Sequence, residues 1–204
     1  MPTRRARGSG GRAWLAVVRL GALAGAALIA LAVGACAEQV RGLEKSMEPT
    51  IRSGEIVRLD PDAYEHRPPA RGEIVALRAP SGAEQERCGV QPRLGQPCPR
   101  PTGPGDLAVV KRVVALAGDR VAIDRFGGLV LNGTPQHESY IRRCAPADYC
   151  ALPRAIRVPP GDVFVLGDNR PYSNDSRFWG PVPLRWIEGR ITPPRRRGRA
   201  AAEP

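Results

Sequence analysis

The stretch G-D-L-A-V-V-K-R-V-V-A-L-A-G-D, from Gly105 to Asp119, places one lysine in the middle of an almost unbroken apolar run. Its β-branched residues favour a strand, and the Gly-Asp pairs at both ends favour turns. Alternation along such a strand sends Lys111 to the face opposite Val110 and Arg112. The other apolar neighbours of the lysine are Leu107, Ala108, Val109, Val113, Val114 and Leu116. Most lysines in strands point into solvent, but this setting suits a buried one.

The same turn pattern, a glycine and an acid before an aliphatic run, occurs at Gly54, Gly72, Gly105, Gly118 and Gly161. Each predicts the start of a strand. Asn132-Gly133 predicts a type I′ hairpin, and no long apolar pattern of period 3.6 lies between residues 38 and 191. We therefore predict a mainly β domain over residues 38–191, with an antiparallel, barrel-like sheet. The Pro/Gly/Cys-rich stretch 79–104 is predicted to be an insertion closed by a disulfide.

The N-terminal part predicts a membrane anchor. Residues 1–13 are basic, and residues 14–37 are long and apolar enough to span a bilayer as one helix. The arginines place the N-terminus in the cytoplasm and the β domain outside it, at the plasma (inner) membrane. Ala35-Cys36-Ala37 leaves two alternatives open, a cleaved signal peptide and a lipidated cysteine. All three alternatives export the domain.

The net charge of +11 is concentrated at the two ends of the chain, the second being residues 192–204, which are predicted to form a disordered basic tail. Basic segments next to a membrane attract anionic headgroups. Membrane lipid is therefore the expected partner of these charges, and nucleic acid is not expected. The sequence indicates no oligomeric state.

The cysteines agree with export, because disulfides persist in oxidising compartments. We predict the local pairs Cys88–Cys98 and Cys144–Cys150. A zinc site is the alternative, but these spacings are not of the C-x2-C type and no histidine is close by. No metal and no cofactor are expected.

Ser46, in the block S-M-E-P-T that ends at Thr50, is a candidate nucleophile. A serine needs a base to remove its proton, and the two histidines, His66 and His137, lie in polar, loop-like sequence. Lys111 is the better candidate base. An exposed lysine has a pKa of about 10.4, and burial can lower it by several units, as a general base near neutral pH requires.

A third block, G-D-N-R-P-Y-S-N-D-S-R from Gly167 to Arg177, favours the catalytic interpretation of Ser46 and Lys111 over an ordinary structural one. Together with S-M-E-P-T, R-G-E-I-V ending at Val75, the lysine strand and the Asn-Gly hairpin, it resembles the bacterial type I signal peptidases. These are membrane-bound serine peptidases with a Ser/Lys dyad. Any one block alone would be a weak signal, whereas the set in this order is specific.

The resemblance implies that Ser46 is the nucleophile, Lys111 the general base and Ser173 a residue whose hydroxyl holds the lysine amine in line. It also implies that the Ser46 backbone N–H contributes to the oxyanion hole. Structural ion pairs are expected from Arg112, Asp168, Asp175 and Arg177, and substrate pockets from Met47, Ile51 and Val110. The implied substrates are exported preproteins, bound as an extended strand and cut after an A-x-A-like segment.

One position departs from the family pattern. Glu44, two residues before the nucleophile, stands where relatives often carry Gly, Ser or Thr, so that no side-chain hydroxyl is available there. This glutamate and the insertion keep open a specialised peptidase that matures one exported or conjugative protein. An anchored domain that binds such segments without cutting them is a further alternative.

Overall fold

The computed structural model describes residues 38–41, 45–83, 97–98 and 102–194. The strands are β1 (Glu38–Arg41), β2 (Ile56–Asp60), β3 (Ile74–Pro80), β4 (Pro104–Leu116), β5 (Arg120–Ile123), β6 (Leu129–Leu131), β7 (Thr134–Pro135), β8 (Leu152–Arg157), β9 (Asp162–Leu166), β10 (Val182–Pro183) and β11 (Ile187–Thr192). The α-helix α1 covers Ser176–Trp179, and short 3-10 turns cover Lys45–Met47, Pro61–Tyr64, Arg170–Tyr172 and Leu184–Trp186.

Antiparallel sheets dominate the described part of the chain, so the predicted fold class is confirmed at that level. Seven strands form one sheet in the order β1-β2-β11-β3-β4-β9-β10, and four form a second in the order β7-β6-β5-β8. The 13-residue strand β4 is the longest. It pairs with β3 from Pro104 to Arg112 and with β9 from Arg112 to Leu116.

Four of the five glycine–acid turn patterns lie directly before a strand, as predicted. Gly54, Gly72, Gly118 and Gly161 have φ angles of 81°, 89°, 90° and 80°, values that only glycine adopts readily. The fifth prediction was wrong in position, because Gly105 lies inside β4. A Cβ on Gly105 would stand 3.1 Å from the carbonyl oxygen of Ala79, so close backbone approach explains this glycine.

The Asn132-Gly133 hairpin is confirmed between β6 and β7. Both residues have positive φ, 52° and 85°, as a type I′ turn requires. The Asn132 side chain also joins this turn to β5, because its Oδ1 accepts the backbone N–H of Arg120 at 2.8 Å. Its Nδ2 donates to Asp119 at 3.0 Å.

Three apolar clusters form the core. The first joins β3, β4 and β9 of the large sheet to Trp179 and Trp186. The second contains Phe164 of β9 and Val121 of β5, and it therefore packs the two sheets on each other. The third lies under β2, β3 and β11 and includes Met47 and Ile51, which follow the candidate nucleophile.

Several predictions fall outside the described residues, namely the basic segment 1–13, the anchor 14–37 and most of the tail 192–204. In the part of the chain that the structure describes, no helix has the length and apolar character needed to cross a membrane. The insertion is shorter at its ends than the predicted 79–104, since Ala79 and Pro80 belong to β3 and Pro104 begins β4.

Candidate active site

Ser46 and Lys111 lie together in the described structure. Ser46 is in the 3-10 turn Lys45–Met47, Lys111 is near the middle of β4, and their side-chain atoms Oγ and Nζ are 3.0 Å apart. Lys111 also donates to the carbonyl of Val110 at 3.2 Å. The two residues are only 4% and 1% exposed. A serine hydroxyl is thus within hydrogen-bonding reach of a buried amine.

Strand pairing explains why Lys111 is buried. It shares a face of β4 with Val109 and Val113, which are both buried, and stands opposite Val75 of β3 in the register. Two of the neighbours expected to bury it do not, because Leu107 and Ala108 are exposed. They lie on the part of β4 that extends beyond its pairing with β9.

The turn that carries Ser46 is held from the segment after β9. The backbone N–H of Asn169 donates to the Ser46 carbonyl at 2.9 Å, and its side-chain Nδ2 donates to the Lys45 carbonyl at 2.9 Å. Asn169 is fully buried. No role was predicted for it from the sequence, although its place in G-D-N-R-P is a signal that could have identified it.

Arg112 and Asp168 form one of the expected ion pairs. The guanidinium donates to both carboxylate oxygens, at 2.8 and 2.6 Å, and a third nitrogen donates to the Gly72 carbonyl at 2.7 Å. Thr50 donates to the same carboxylate from the nucleophile turn. This pair therefore ties β4, the segment after β9 and the nucleophile turn to one another.

Gly167 allows the closest backbone approach in the site. A Cβ at this position would lie 2.5 Å from the Ser46 carbonyl oxygen and 2.5 Å from the Ser173 Cβ. Real Cβ contacts essentially never become that short. Any side chain here would displace the nucleophile turn or the Ser173 loop.

Ser173 is buried beside this turn, but the expected hydrogen bond to Lys111 is not formed. Its Oγ has no hydrogen-bond partner of ordinary geometry among the described residues. The carbonyl of Ser173 is held instead, because Arg177 donates to it at 2.8 Å. The backbone of the Ser173 loop is thus fixed, and its hydroxyl interacts with the Asp175 carboxylate, whose pKa it helps to lower, rather than with Lys111.

Asp175 and Arg177 form the second expected ion pair, at 2.8 Å, with both side chains almost fully buried. The same carboxylate accepts the Gly167 N–H at 3.1 Å. Burial raises the pKa of Asp175, but the charge and hydrogen bonds of Arg177 outweigh burial and hold it below its ordinary value. Asp175 is therefore a buried anion that fixes the loop.

Glu138 and Arg170 form a third buried pair, at 2.6 Å, which the sequence analysis missed. Arg170 also donates to the carbonyl of Gly167 at 3.0 Å. Tyr140 donates to Glu138 at 3.0 Å, and burial, followed by the Glu138 charge, raises the pKa of Tyr140 to about 12. No local pattern marks Glu138, because its partner lies far along the chain.

The three pocket candidates share one location. Met47 and Ile51 are both 3% exposed and belong to the third apolar cluster, and Val110 packs against it while half-buried. The structure brings them together next to Ser46. Their role in substrate binding stays a prediction.

The structure contains a disulfide between Cys144 and Cys150. It closes a short loop just after Arg142, whose backbone N–H donates to the Asp168 carbonyl at 2.8 Å. Cys88 and Glu44 lie outside the described residues, so the Cys88–Cys98 pair and the consequence of Glu44 stay predictions.

Residues 14–194 match the family described as signal peptidase, peptidase S26. The chain belongs to this family. Among its relatives, the signal peptidase I of Leptolyngbya laminosa is 34% identical over 146 residues, which are 72% of this chain and 62% of that protein. A probable signal peptidase I-1 of Synechocystis is 37% identical over 144 residues, 71% of this chain and 63% of that protein.

A plant member of the family is also similar. The thylakoidal processing peptidase 1 of Arabidopsis thaliana is 36% identical over 145 residues, 71% of this chain and 38% of that protein. The chain thus matches less than two thirds of the length of these relatives. A crystal structure of a signal peptidase I from Enterococcus faecalis covers 61% of this chain and 97% of its own, with 26% identity and a TM-score of 0.39.

Replacing Gly167 by Ala is expected to loosen the nucleophile turn, because the new methyl group meets the Ser46 carbonyl. Hydrogen exchange at the Asn169 amide should rise, and overpacking should lower the free energy of unfolding by about 1–3 kcal/mol. Gly161→Ala is the control, since a φ of 80° makes alanine costly there while its Cβ would meet nothing within 4 Å. Equal exchange at Asn169 in both variants would contradict this account.

Replacing Asp175 by Asn should lower the free energy of unfolding by about 3–5 kcal/mol, because Arg177 is left as a buried charge without its carboxylate. Asp60→Asn is the control: the Asp60–Arg190 side chains are 30% and 40% exposed, so the loss should not exceed about 1 kcal/mol. Urea unfolding at neutral pH measures both.

The effect of Asp175→Asn should also depend on pH. The folded-state pKa of Asp175 lies below its ordinary value of about 3.9, so its contribution is fully present above that pH. The contribution is lost as the pH falls through the folded-state pKa. The stability difference between the wild type and the variant should therefore shrink only in strong acid, and a difference that shrinks near neutral pH would contradict a depressed pKa.

Proposed function

We propose that this protein is a membrane-anchored serine endopeptidase that removes signal peptides from exported preproteins, cutting after A-x-A-like segments. The observation that carries the proposal is the 3.0 Å contact between Ser46 Oγ and Lys111 Nζ in a buried setting, within a chain of the signal peptidase family. Because burial disfavours a charged amine, it favours the neutral form that can accept a proton.

In the proposed reaction, Lys111 takes the Ser46 proton as Oγ attacks the carbonyl carbon of the scissile peptide bond. The Ser46 backbone N–H stabilises the oxyanion, and such a donor is worth about 2.7–4 kcal/mol. Lys111 then gives its proton to the departing amine, which leaves an acyl-enzyme on Ser46. Water, deprotonated by Lys111, hydrolyses this ester and restores both residues.

Strand β4 supplies a place for an extended substrate. Among the described residues, no strand pairs with its second edge between Pro104 and Val110, since the pairing with β9 begins at Arg112. A substrate strand on this edge would run towards Ser46 and would receive backbone hydrogen bonds, while alternate side chains would point into pockets. Val110, Met47 and Ile51 lie at the end nearest the nucleophile and are the proposed lining of the pocket before the cut.

The membrane anchor and its orientation are part of this proposal and rest on the sequence. Residues 14–37 would span the bilayer, with residues 1–13 in the cytoplasm and the β domain outside. Signal peptides are themselves membrane-embedded, so an anchored enzyme would meet its substrate where the substrate emerges.

The chain offers a sharp test, because Lys45 and Lys111 are its only two lysines. Lys111→Met should reduce cleavage of a labelled A-x-A preprotein by about a hundred- to ten-thousandfold. Ser46→Ala should abolish it. Lys45→Met is the matched control, because Lys45 is an exposed neighbour of the nucleophile and should retain most of the activity.

The assay uses membranes that carry the full chain, with the cut site read by mass spectrometry and the fold of each variant checked by circular dichroism. Cleavage that persists in folded Lys111→Met would refute the lysine base. Several unrelated preproteins should be cut, and cleavage of a single one would favour the specialised maturation peptidase.

A further inference from the structure

A groove beside the nucleophile turn carries two arginines that the proposed reaction does not use. It is an open concavity of about 630 Å³ between the turn and the segment before the Cys144–Cys150 loop. Its lining residues are Glu48, Pro49, Arg52, Ser53, Ile141 and Arg142. We call it the Arg52–Arg142 groove.

The groove has an excess of positive charge. Arg52 and Arg142 are both exposed, and neither forms an ion pair with a carboxylate in the described ranges. Glu48 is the one acid of the lining, and the nearby Glu55 accepts the backbone N–H of Arg52 at 2.8 Å. A lining with two guanidinium groups and one carboxylate suits an incoming anion.

Arg142 is held in place for such a contact. Its backbone pairs with the segment that contacts Ser46, donating to the Asp168 carbonyl at 2.8 Å and accepting from Arg170 at 3.2 Å. The guanidinium lies 5.8 Å from the centre of the exposed Tyr172 ring. A cation over an aromatic face loses less freedom when it binds, because the ring already restricts it.

The position of the groove indicates which part of a substrate would reach it. The residues before the cut would occupy the edge of β4 from Pro104 to Val110, which no described strand pairs, on one side of Ser46 and Lys111. Beyond Lys111, β9 pairs with β4, and Gly167 to Asn169 then pack on the nucleophile turn, which blocks a straight continuation. The chain after the cut must leave over that turn, and the groove borders it two residues after Ser46.

We propose that the Arg52–Arg142 groove binds an acidic side chain in the first residues after the cleaved bond. This specificity site rests on the proposed function and extends it to the part of the substrate that follows the cleaved bond. It makes preproteins with Asp or Glu at the second or third residue after the cut the preferred substrates. The contact is electrostatic and exposed, so added salt should weaken it.

The test compares two soluble peptides with the same A-x-A segment, one with Asp-Asp and one with Asn-Asn at the second and third residues after the cut. The wild type should show about a fivefold higher kcat/KM for the Asp-Asp peptide, mainly through KM. Arg142→Gln together with Arg52→Gln should bring the ratio of the two peptides close to one. Arg154→Gln, an exposed arginine of β8, removes the same charge elsewhere and should leave the ratio unchanged.

Three outcomes would overturn the proposal: a wild-type ratio near one, a ratio that survives both groove substitutions, or an equal fall in Arg154→Gln. If the groove substitutions instead weakened binding to phosphatidylglycerol vesicles with no change in the peptide ratio, the arginines would serve lipid, and the proposal would fail.

The failure of the proposed function would be distinguishable from the failure of the groove. If the wild type cuts neither peptide, the peptidase proposal fails. The groove proposal is then tested by a measurement of peptide binding. A fluorescent peptide that begins at the residue after the cut should then bind Ser46→Ala about fivefold more tightly with Asp-Asp than with Asn-Asn. Equal binding of the two peptides would overturn the groove by itself.

Discussion

The burial of Lys111 is the constraint on which the rest of the structure depends. Taking an ammonium group out of water costs several kcal/mol. The surrounding structure must therefore hold in place a side chain whose charged form is more stable in solvent. The middle of the longest strand is suited to this, because neighbouring strands fix the backbone and buried valines lie on both sides of the lysine along the same strand face. Ser46 can then be brought to the amine by a short turn rather than by a mobile loop.

The block from Gly167 to Arg177 holds that turn through Asn169, which binds the Lys45 and Ser46 carbonyls. The block itself is braced by two guanidinium groups, since Arg170 donates to the Gly167 carbonyl and Arg177 to the Ser173 carbonyl. Its charged side chains are paired with buried partners, so they support the site without competing for substrate. The chemistry is thus proposed for two residues, and the geometry depends on a third segment distant in sequence from both.

Much of this was predictable because the signals were local or because the blocks occur together. Glycine–acid turns and Asn132-Gly133 depend on backbone conformation, which neighbouring residues largely decide. Gly105 was placed wrongly because its requirement comes from β3, across the sheet. Ser173 is buried beside the Ser46 turn, but the predicted hydrogen bond to Lys111 is not formed there, because a resemblance does not specify the orientation of a hydroxyl group. Glu138 was missed because its partner Arg170 lies 32 residues away.

The edge of β4 from Pro104 to Val110, which no described strand pairs, affects how molecules of this protein would behave towards one another. An edge that would accept a substrate strand would also accept a strand from a second copy, which is how sheets join into aggregates. Pro104 lacks an N–H to donate, and Asp106 places a charge on the exposed end of the edge. Both residues discourage a long intermolecular pairing, so this edge is suited to binding a short peptide segment rather than another sheet.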